Sequence, residues 1–155
     1  MQIRKGDTAP EFRLFNTDKE WVTLSEQKGK NVLLLFFPLA FTSVCTKELC
    51  SVRDNLSFYN NTNVEVFGIS VDSNATLARF KEDQQLNFTL LSDFNREASA
   101  AYGVLYENFG WMKGVSKRAA FVIDKNGIIQ YAEVLENAGE VPDFEAIKAS
   151  LRQLS

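Results

Sequence analysis

The residues able to do chemistry gather in one stretch. FFPLAFTSVCTKELC, residues Phe36 to Cys50, starts as an apolar run and ends on the chain's two cysteines, Cys45 and Cys50. The 155 residues contain no histidine, which removes Cys–His and Ser–His–Asp catalysis and His-ligated metal sites. Two cysteines cannot close a four-cysteine zinc site. Thiols, carboxylates, Lys, Arg, hydroxyls and backbone remain. A thiol attacks well only when ionised, and a helix N-terminus or a nearby guanidinium favours the thiolate. Cys45 falls on the first turn of a predicted helix that carries Leu49, Val52, Leu56 and Tyr59 at helical spacing. Arg118 precedes a strand that could run beside the one ending at Phe37 and would add positive charge. Pro38 suits an exposed turn at the strand end. Thr42 offers a hydroxyl that donates and accepts, suited to an oxygen-rich substrate near the sulfur.

The spacing of the thiols carries information. In an intact helix, residues five apart have Cα atoms about 8–9 Å apart, whereas a disulfide needs them within roughly 7 Å. Bonding therefore requires the first turns to unwind, at the helix end where hydrogen bonds are fewest. That favours a transient disulfide over a structural one. The blander reading, two buried thiols acting as small hydrophobes, leaves the strand–Pro–Thr–Cys arrangement to coincidence and ranks lower.

Several elements must position these residues. NVLLLFF is a continuous apolar run, as for a strand covered on both faces. FRLFN and WVTLS around TDKE predict an N-terminal hairpin. VEVFGISV is a second core strand, Asn74 to Gln84 a helix capped by Ser73 or Asn74, and FTLLSD a third short strand leading to a helix from about Arg96 to Ala101. AAFVID and IIQYAEVL flank Lys125-Asn126-Gly127, a strong hairpin signal in which Asp124 reads as a turn residue. Pro142-Asp143 opens a last helix with Phe144, Ile147, Leu151 and Leu154 on one face. The order predicts one α/β domain over residues 1–155, with a mixed, mostly parallel central sheet and helices on both faces. Sites in such sheets lie at the carboxyl ends of strands, where Cys45 falls.

Composition narrows the function. Hydrophobic residues make up 45% and the formal net charge is -3, which argues against a nucleic-acid partner. The longest apolar stretch, Val32 to Phe37, is far shorter than the roughly 20 residues of a membrane span. MQIRKGDTAPEF holds no apolar signal-peptide core. A cytoplasmic location is expected, and there a cysteine pair is seldom a permanent staple.

Pro38-Leu39-Ala40-Phe41-Thr42-Ser43-Val44-Cys45 resembles the peroxiredoxin motif Pro-x-x-x-Thr/Ser-x-x-Cys. GDTAPEFRL, VFGISVDS and RAAFVIDKNGIIQYAEV extend the likeness over most of the chain. Cys45-Thr46-Lys47-Glu48-Leu49-Cys50 is similar to the peroxiredoxin Q (bacterioferritin comigratory protein) pattern, whose resolving cysteine lies five residues on. Pro-Leu-Ala-Phe-Thr resembles the alkyl hydroperoxide reductase E type, so the chain mixes features of both. The resemblance implies a thioredoxin-like fold and a cofactor-free thiol peroxidase. Cys45 would attack the peroxide and become a sulfenic acid. Thr42 and the Cys45 backbone N–H would hold the peroxide oxygens, Arg118 would stabilise the thiolate and the breaking O–O bond, and Pro38 would exclude water. Cys50 would resolve the sulfenic acid as an intrasubunit disulfide, reopened by a thioredoxin-like or other dithiol reductant. Glu48 would orient Arg118 or Thr42, or else be a solvated helix carboxylate.

Tyr106, Phe109 and Trp111 are expected as a pocket wall or dimer contact rather than sheet-capping core, in a monomer or homodimer. Phe41 reads as an apolar lid or as packing, while Lys113 and Lys117 read as a solvated face. Three rivals stand beside the two-cysteine peroxidase. They are a one-cysteine peroxidase with Cys50 a bystander, a disulfide oxidoreductase, which would want Cys-x-x-Cys, and a non-enzymatic binding module.

Overall fold

A computed structural model describes residues 2–41, 43–137 and 139–154, with the backbone alone of residues 43–46. Seven strands form one sheet: β1 (Arg13–Asn16), β2 (Trp21–Thr23), β3 (Asn31–Phe36), β4 (Val64–Ser70), β5 (Thr89–Ser92), β6 (Arg118–Ile123) and β7 (Ile129–Leu135), in the order β2-β1-β5-β4-β3-β6-β7. The helices are α1 (Ser43–Asp54), α2 (Leu56–Asn61), α3 (Asn74–Asp83), α4 (Glu97–Ala101) and α5 (Phe144–Leu154).

Every residue of β3 is buried, because the alternating side chains of NVLLLF enter two different cores. Leu33, Leu35 and Phe37 pack with Leu49 and Val52 of α1, Leu77 and Phe80 of α3, and Ile147 and Leu151 of α5. Val32, Leu34 and Phe36 pack on the other face with Phe12, Leu14, Ala98 and Tyr102. Helices thus cover both faces, as the continuous apolar run predicts. Among the described residues, no helix is long and apolar enough to cross a membrane.

Two expectations change. The sheet is mixed, but it is parallel only across β5-β4-β3. The outer pairs, including β3 with β6, are antiparallel, because the chain reaches β6 through a long loop and returns by a hairpin. The helix expected to run from Leu49 through Tyr59 is two helices. Asn55 breaks it by donating its side-chain amide to the Ser51 carbonyl at 2.7 Å, the acceptor its own backbone N–H would use. That N–H bonds to the Val52 carbonyl instead.

The turn chemistry holds. Asp124 Oδ1 accepts from the N–H groups of Asn126 and Ile128, and Gly127 takes the left-handed φ of +82° that the turn needs. Ser73 caps α3 by accepting from Thr76 N–H. Asp143 does the same for α5 through Ala146 N–H.

Candidate active site

The register of β3 against β6 pairs Phe36 with Ala119, which sets Arg118 at the carboxyl end of β3, beside Phe37. The chain leaving that strand end is pinned. Ala40 N–H donates to Asp72 Oδ2 at 2.7 Å, and Ser70 Oγ donates to the same oxygen at 2.7 Å. Ser70 ends β4, so the loop after β3 is tied to the end of the neighbouring parallel strand. Pro38 is buried, not in an exposed turn. It sits between the fully buried Phe37 and the buried Ala40, and the Asp72 anchor draws the loop against the sheet. Sequence reasoning did not single out Asp72, although its position just past an apolar strand gave the signal.

Phe41 adopts a left-handed φ of +67° and is half-exposed, its ring edge-on to buried Phe80 at 5.2 Å. Phe80 in turn lies 6.1 Å from Phe37. Phe41 is thus both an exposed apolar surface and a packed ring. Beyond it the backbone enters α1, which runs unbroken through positions 45 and 50. Thr42 and the side chain of Cys45 lie outside the described residues. As the third residue of α1, Cys45 stands on the turn where backbone N–H groups lack helical acceptors.

Three residues after Cys45, Glu48 is fully buried. Its Oε1 accepts from Arg118 Nη1 at 2.8 Å, and Arg118 is itself buried to 1% exposure. The solvated-carboxylate reading of Glu48 is therefore wrong, and the orienting reading holds toward Arg118. Leu49 and Val52 mark the inward stripe of α1, and Glu48, four residues before Val52, shares it. That spacing was the available signal. Glu48 Oε2 has no hydrogen-bond partner. Burial pushes the Glu48 carboxyl up to about 8 against the pull of Arg118, with the negative charge of Glu133 adding to the rise. Glu133 accepts from Tyr131 Oη and from Asp143 N–H, which ties β7 to the start of α5.

Cys50 is half-buried against the aliphatic core, with Sγ 3.8 Å from Gln84 Oε1. Two residues past Glu48, it lies about 200° around the helix and points away from the Arg118 face. With α1 continuous, the Cα atoms of positions 45 and 50 stand about 8–9 Å apart.

An open cleft of about 610 Å³ adjoins the loop, lined by Leu39, Val71, Asp72, Trp111 and Met112 among others. Trp111 is 89% exposed and forms one wall of it. Tyr106 and Phe109 stack at 4.7 Å within a small cluster with Val71 and Val115. Of the three aromatics, then, two pack and one is free to meet another surface. Lys113 is exposed, while Lys117 pairs with Glu136 at 2.7 Å. Among the described residues, no three His, Cys, Asp or Glu side chains converge as a metal site would require.

Residues 5–132 match the AhpC/TSA family. The chain is 42% identical over 144 residues to alkyl hydroperoxide reductase E of Mycobacterium tuberculosis, covering 91% of both chains. It is 39% identical over 131 residues to peroxiredoxin Bcp of Escherichia coli, covering 83% of this chain and 84% of that one. The chloroplastic peroxiredoxin Q of rice is 39% identical over 130 residues, but the match spans only 58% of that protein's length. Among solved structures, peroxidoxin BcpB of Mycobacterium tuberculosis superposes with a TM-score of 0.88 at 30% identity, covering 99% of each chain.

Proposed function

The chain belongs to the AhpC/TSA family of peroxiredoxins, and from that premise we propose that it is a thiol-dependent peroxidase whose attacking sulfur is Cys45. The observation that carries this is the buried Arg118–Glu48 pair at the carboxyl end of β3, set against the first turns of α1. A guanidinium there stabilises an anion at the helix N-terminus, where the dipole already favours one. Cys50 is a weaker candidate for the attacking thiol, since it sits mid-helix against hydrocarbon and faces away from Arg118.

The thiolate displaces an alcohol or water from the hydroperoxide and becomes a sulfenic acid. Thr42 and the Cys45 N–H hold the peroxide oxygens, Arg118 stabilises charge along the breaking O–O bond, and buried Pro38 keeps water from the sulfur. Cys50 then condenses with the sulfenic acid, and an external dithiol of thioredoxin type reopens the disulfide. A likeness to peroxiredoxin Bcp of Escherichia coli and two cysteines whose proposed disulfide is transient suit a reducing cytoplasm. Trp111 and the cleft beside it suit contact with a second copy or with the reductant.

The burial of Glu48 and Leu49 between the two thiols favours a second reading, in which Cys50 is a bystander and the external thiol attacks the sulfenic acid directly. Peroxide-driven loss of free thiol tests the proposal common to both. It is expected in the wild type and absent in Cys45→Ser, and equal loss in the two would refute it.

A further inference from the structure

Resting on the peroxidase reading, we propose that Glu48 is the general acid of the reaction, delivering the proton on its Oε2 to the leaving oxygen of the hydroperoxide. Three observations carry this. Glu48 is fully buried, its Oε1 is committed to Arg118 at 2.8 Å, and its Oε2 meets no hydrogen-bond partner. A buried carboxyl oxygen without a partner is expensive, and native sites keep one where a proton or a substrate completes it. Cys45 stands one turn away on the same helix, at the i,i+3 spacing whose Cβ atoms lie about 5–6 Å apart. That spacing sets the two positions on one side of α1, and the proposal has Oε2 reach a peroxide bound at that sulfur.

Charge counting leads to the same assignment. Arg118 is the only buried cation among the described residues. It donates to the Glu48 carboxyl, and Glu133 on β7 adds further negative charge; in the proposed reaction the Cys45 thiol is a second acid for the same cation. A low-dielectric site with one cation tolerates one anion, not two. When the sulfur is the anion, Glu48 keeps its proton, in line with the upward push of its burial.

Attack then moves charge without creating any. The thiolate electron pair forms the S–O bond and the O–O bond breaks. The departing oxygen takes the bond's electron pair and then the Glu48 proton, leaving as alcohol or water. Sulfur is oxidised to the sulfenic acid and the peroxide is reduced. Arg118 now faces a carboxylate in place of a thiolate. When an external dithiol returns the sulfur to a thiol, that thiol's proton passes to Glu48 and the starting arrangement is restored.

A hydroperoxide leaves as a strongly basic oxygen and needs this proton, whereas peracetic acid leaves as acetate and does not. Rate constants for Cys45 oxidation by tert-butyl hydroperoxide and by peracetic acid are measured by stopped-flow in wild type, Glu48→Gln and Glu48→Asp. Glu48→Gln keeps an acceptor for Arg118 but loses the acidic proton. The hydroperoxide-to-peracid ratio is expected to fall about 100-fold in Glu48→Gln, within the usual range for a general acid, and to recover in part in Glu48→Asp. An equal loss toward both oxidants would reduce Glu48 to a positioning residue and overturn the proposal, as would no loss toward either. A wild type no faster than free cysteine toward both oxidants would instead overturn the peroxidase reading beneath it.

Discussion

If Cys50 resolves the sulfenic acid at Cys45, the helix between them must open, and the structure sets the scale of that opening. Closing a disulfide from about 8–9 Å between Cα atoms is geometrically excluded. The residues that must move include Glu48 and Leu49, both fully buried. Drawing Leu49 out of its cluster costs about 2–3 kcal/mol. Pulling Glu48 from Arg118 strands a buried group, worth about 3–5 kcal/mol. First-turn hydrogen bonds add little, since few exist there. The open form is therefore disfavoured by roughly 10⁴- to 10⁶-fold. Resolution is then limited by opening rather than by thiol reactivity.

Leu49→Ala separates these. Truncating a buried leucine costs the closed state about 2–5 kcal/mol and the open state, where the side chain meets water, almost nothing. Opening, and with it disulfide formation, should accelerate by at least about 30-fold, the equivalent of about 2 kcal/mol. After a single peroxide addition, timed quenching with a sulfenic-acid probe and intact-mass analysis gives the rate of Cys45–Cys50 closure. A cooperative melt establishes that the variant is folded. Closure in Leu49→Ala no faster than in the wild type would refute the gating argument, and absence of the crosslink in both would leave the one-cysteine reading standing.

Cys50→Ser is expected to keep the first turnover and to accumulate sulfenic acid, scored by probe labelling at Cys45. Arg118→Met should slow alkylation of Cys45 at pH 7 about 10- to 100-fold, through a thiol pKa raised by roughly one to two units. Its stability loss should fall below the usual 3–5 kcal/mol for a stranded partner, because buried Glu48 can stay protonated. Glu48 also gives stability a pH dependence with a defined sign. Its carboxyl is raised from 4.5 to about 8 on folding, so its contribution is complete below about pH 4.5 and is lost as pH climbs toward 8. The loss amounts to about 1.4 kcal/mol per pH unit at most. Denaturant titrations at pH 5 and pH 8.5 should show Glu48→Gln losing less than the wild type across that interval.

What the sequence made legible follows the range of each interaction. Local chemistry was readable, as in the Asn126-Gly127 turn with Asp124, the Ser73 cap of α3 and the apolar run of β3. So was the placement of Arg118, because a basic residue opening an apolar strand has few partners other than the neighbouring strand end. Asn55 was missed because its break depends on a side-chain bond to Ser51 that competes with the helix its neighbours favour. Pro38 was placed outside because the force drawing it in, the Asp72 carboxylate on Ala40 N–H, comes from a residue 32 positions away in the chain. The burial of Glu48 was visible in the spacing to Val52, but a carboxylate on an apolar stripe makes sense only once Arg118 arrives from β6.

The anchoring of α1 sets its two proposed jobs against each other. The first chemical step needs the helix start held still, so that the dipole, Arg118 and the oxygen-binding groups act on one sulfur without reorganising. Leu49 and Glu48 provide that rigidity because they are buried on the turn next to Cys45. The second step needs the same turn to come apart. Each 1.4 kcal/mol of anchoring that keeps the thiolate poised slows disulfide closure about tenfold. A chain with a cysteine at position 50 must therefore sit between a stiff site, quick with peroxide but slow to resolve, and a loose one with the opposite balance. Oxidation of Cys45 shifts the balance by itself. The thiolate becomes a neutral sulfenic acid, the anion that Arg118 faces moves to Glu48, and the helix start no longer carries a charge for its dipole to hold. The dipole's hold on the first turn of α1 thus weakens once opening becomes useful, and the Arg118–Glu48 pair remains as the anchor that opening must break.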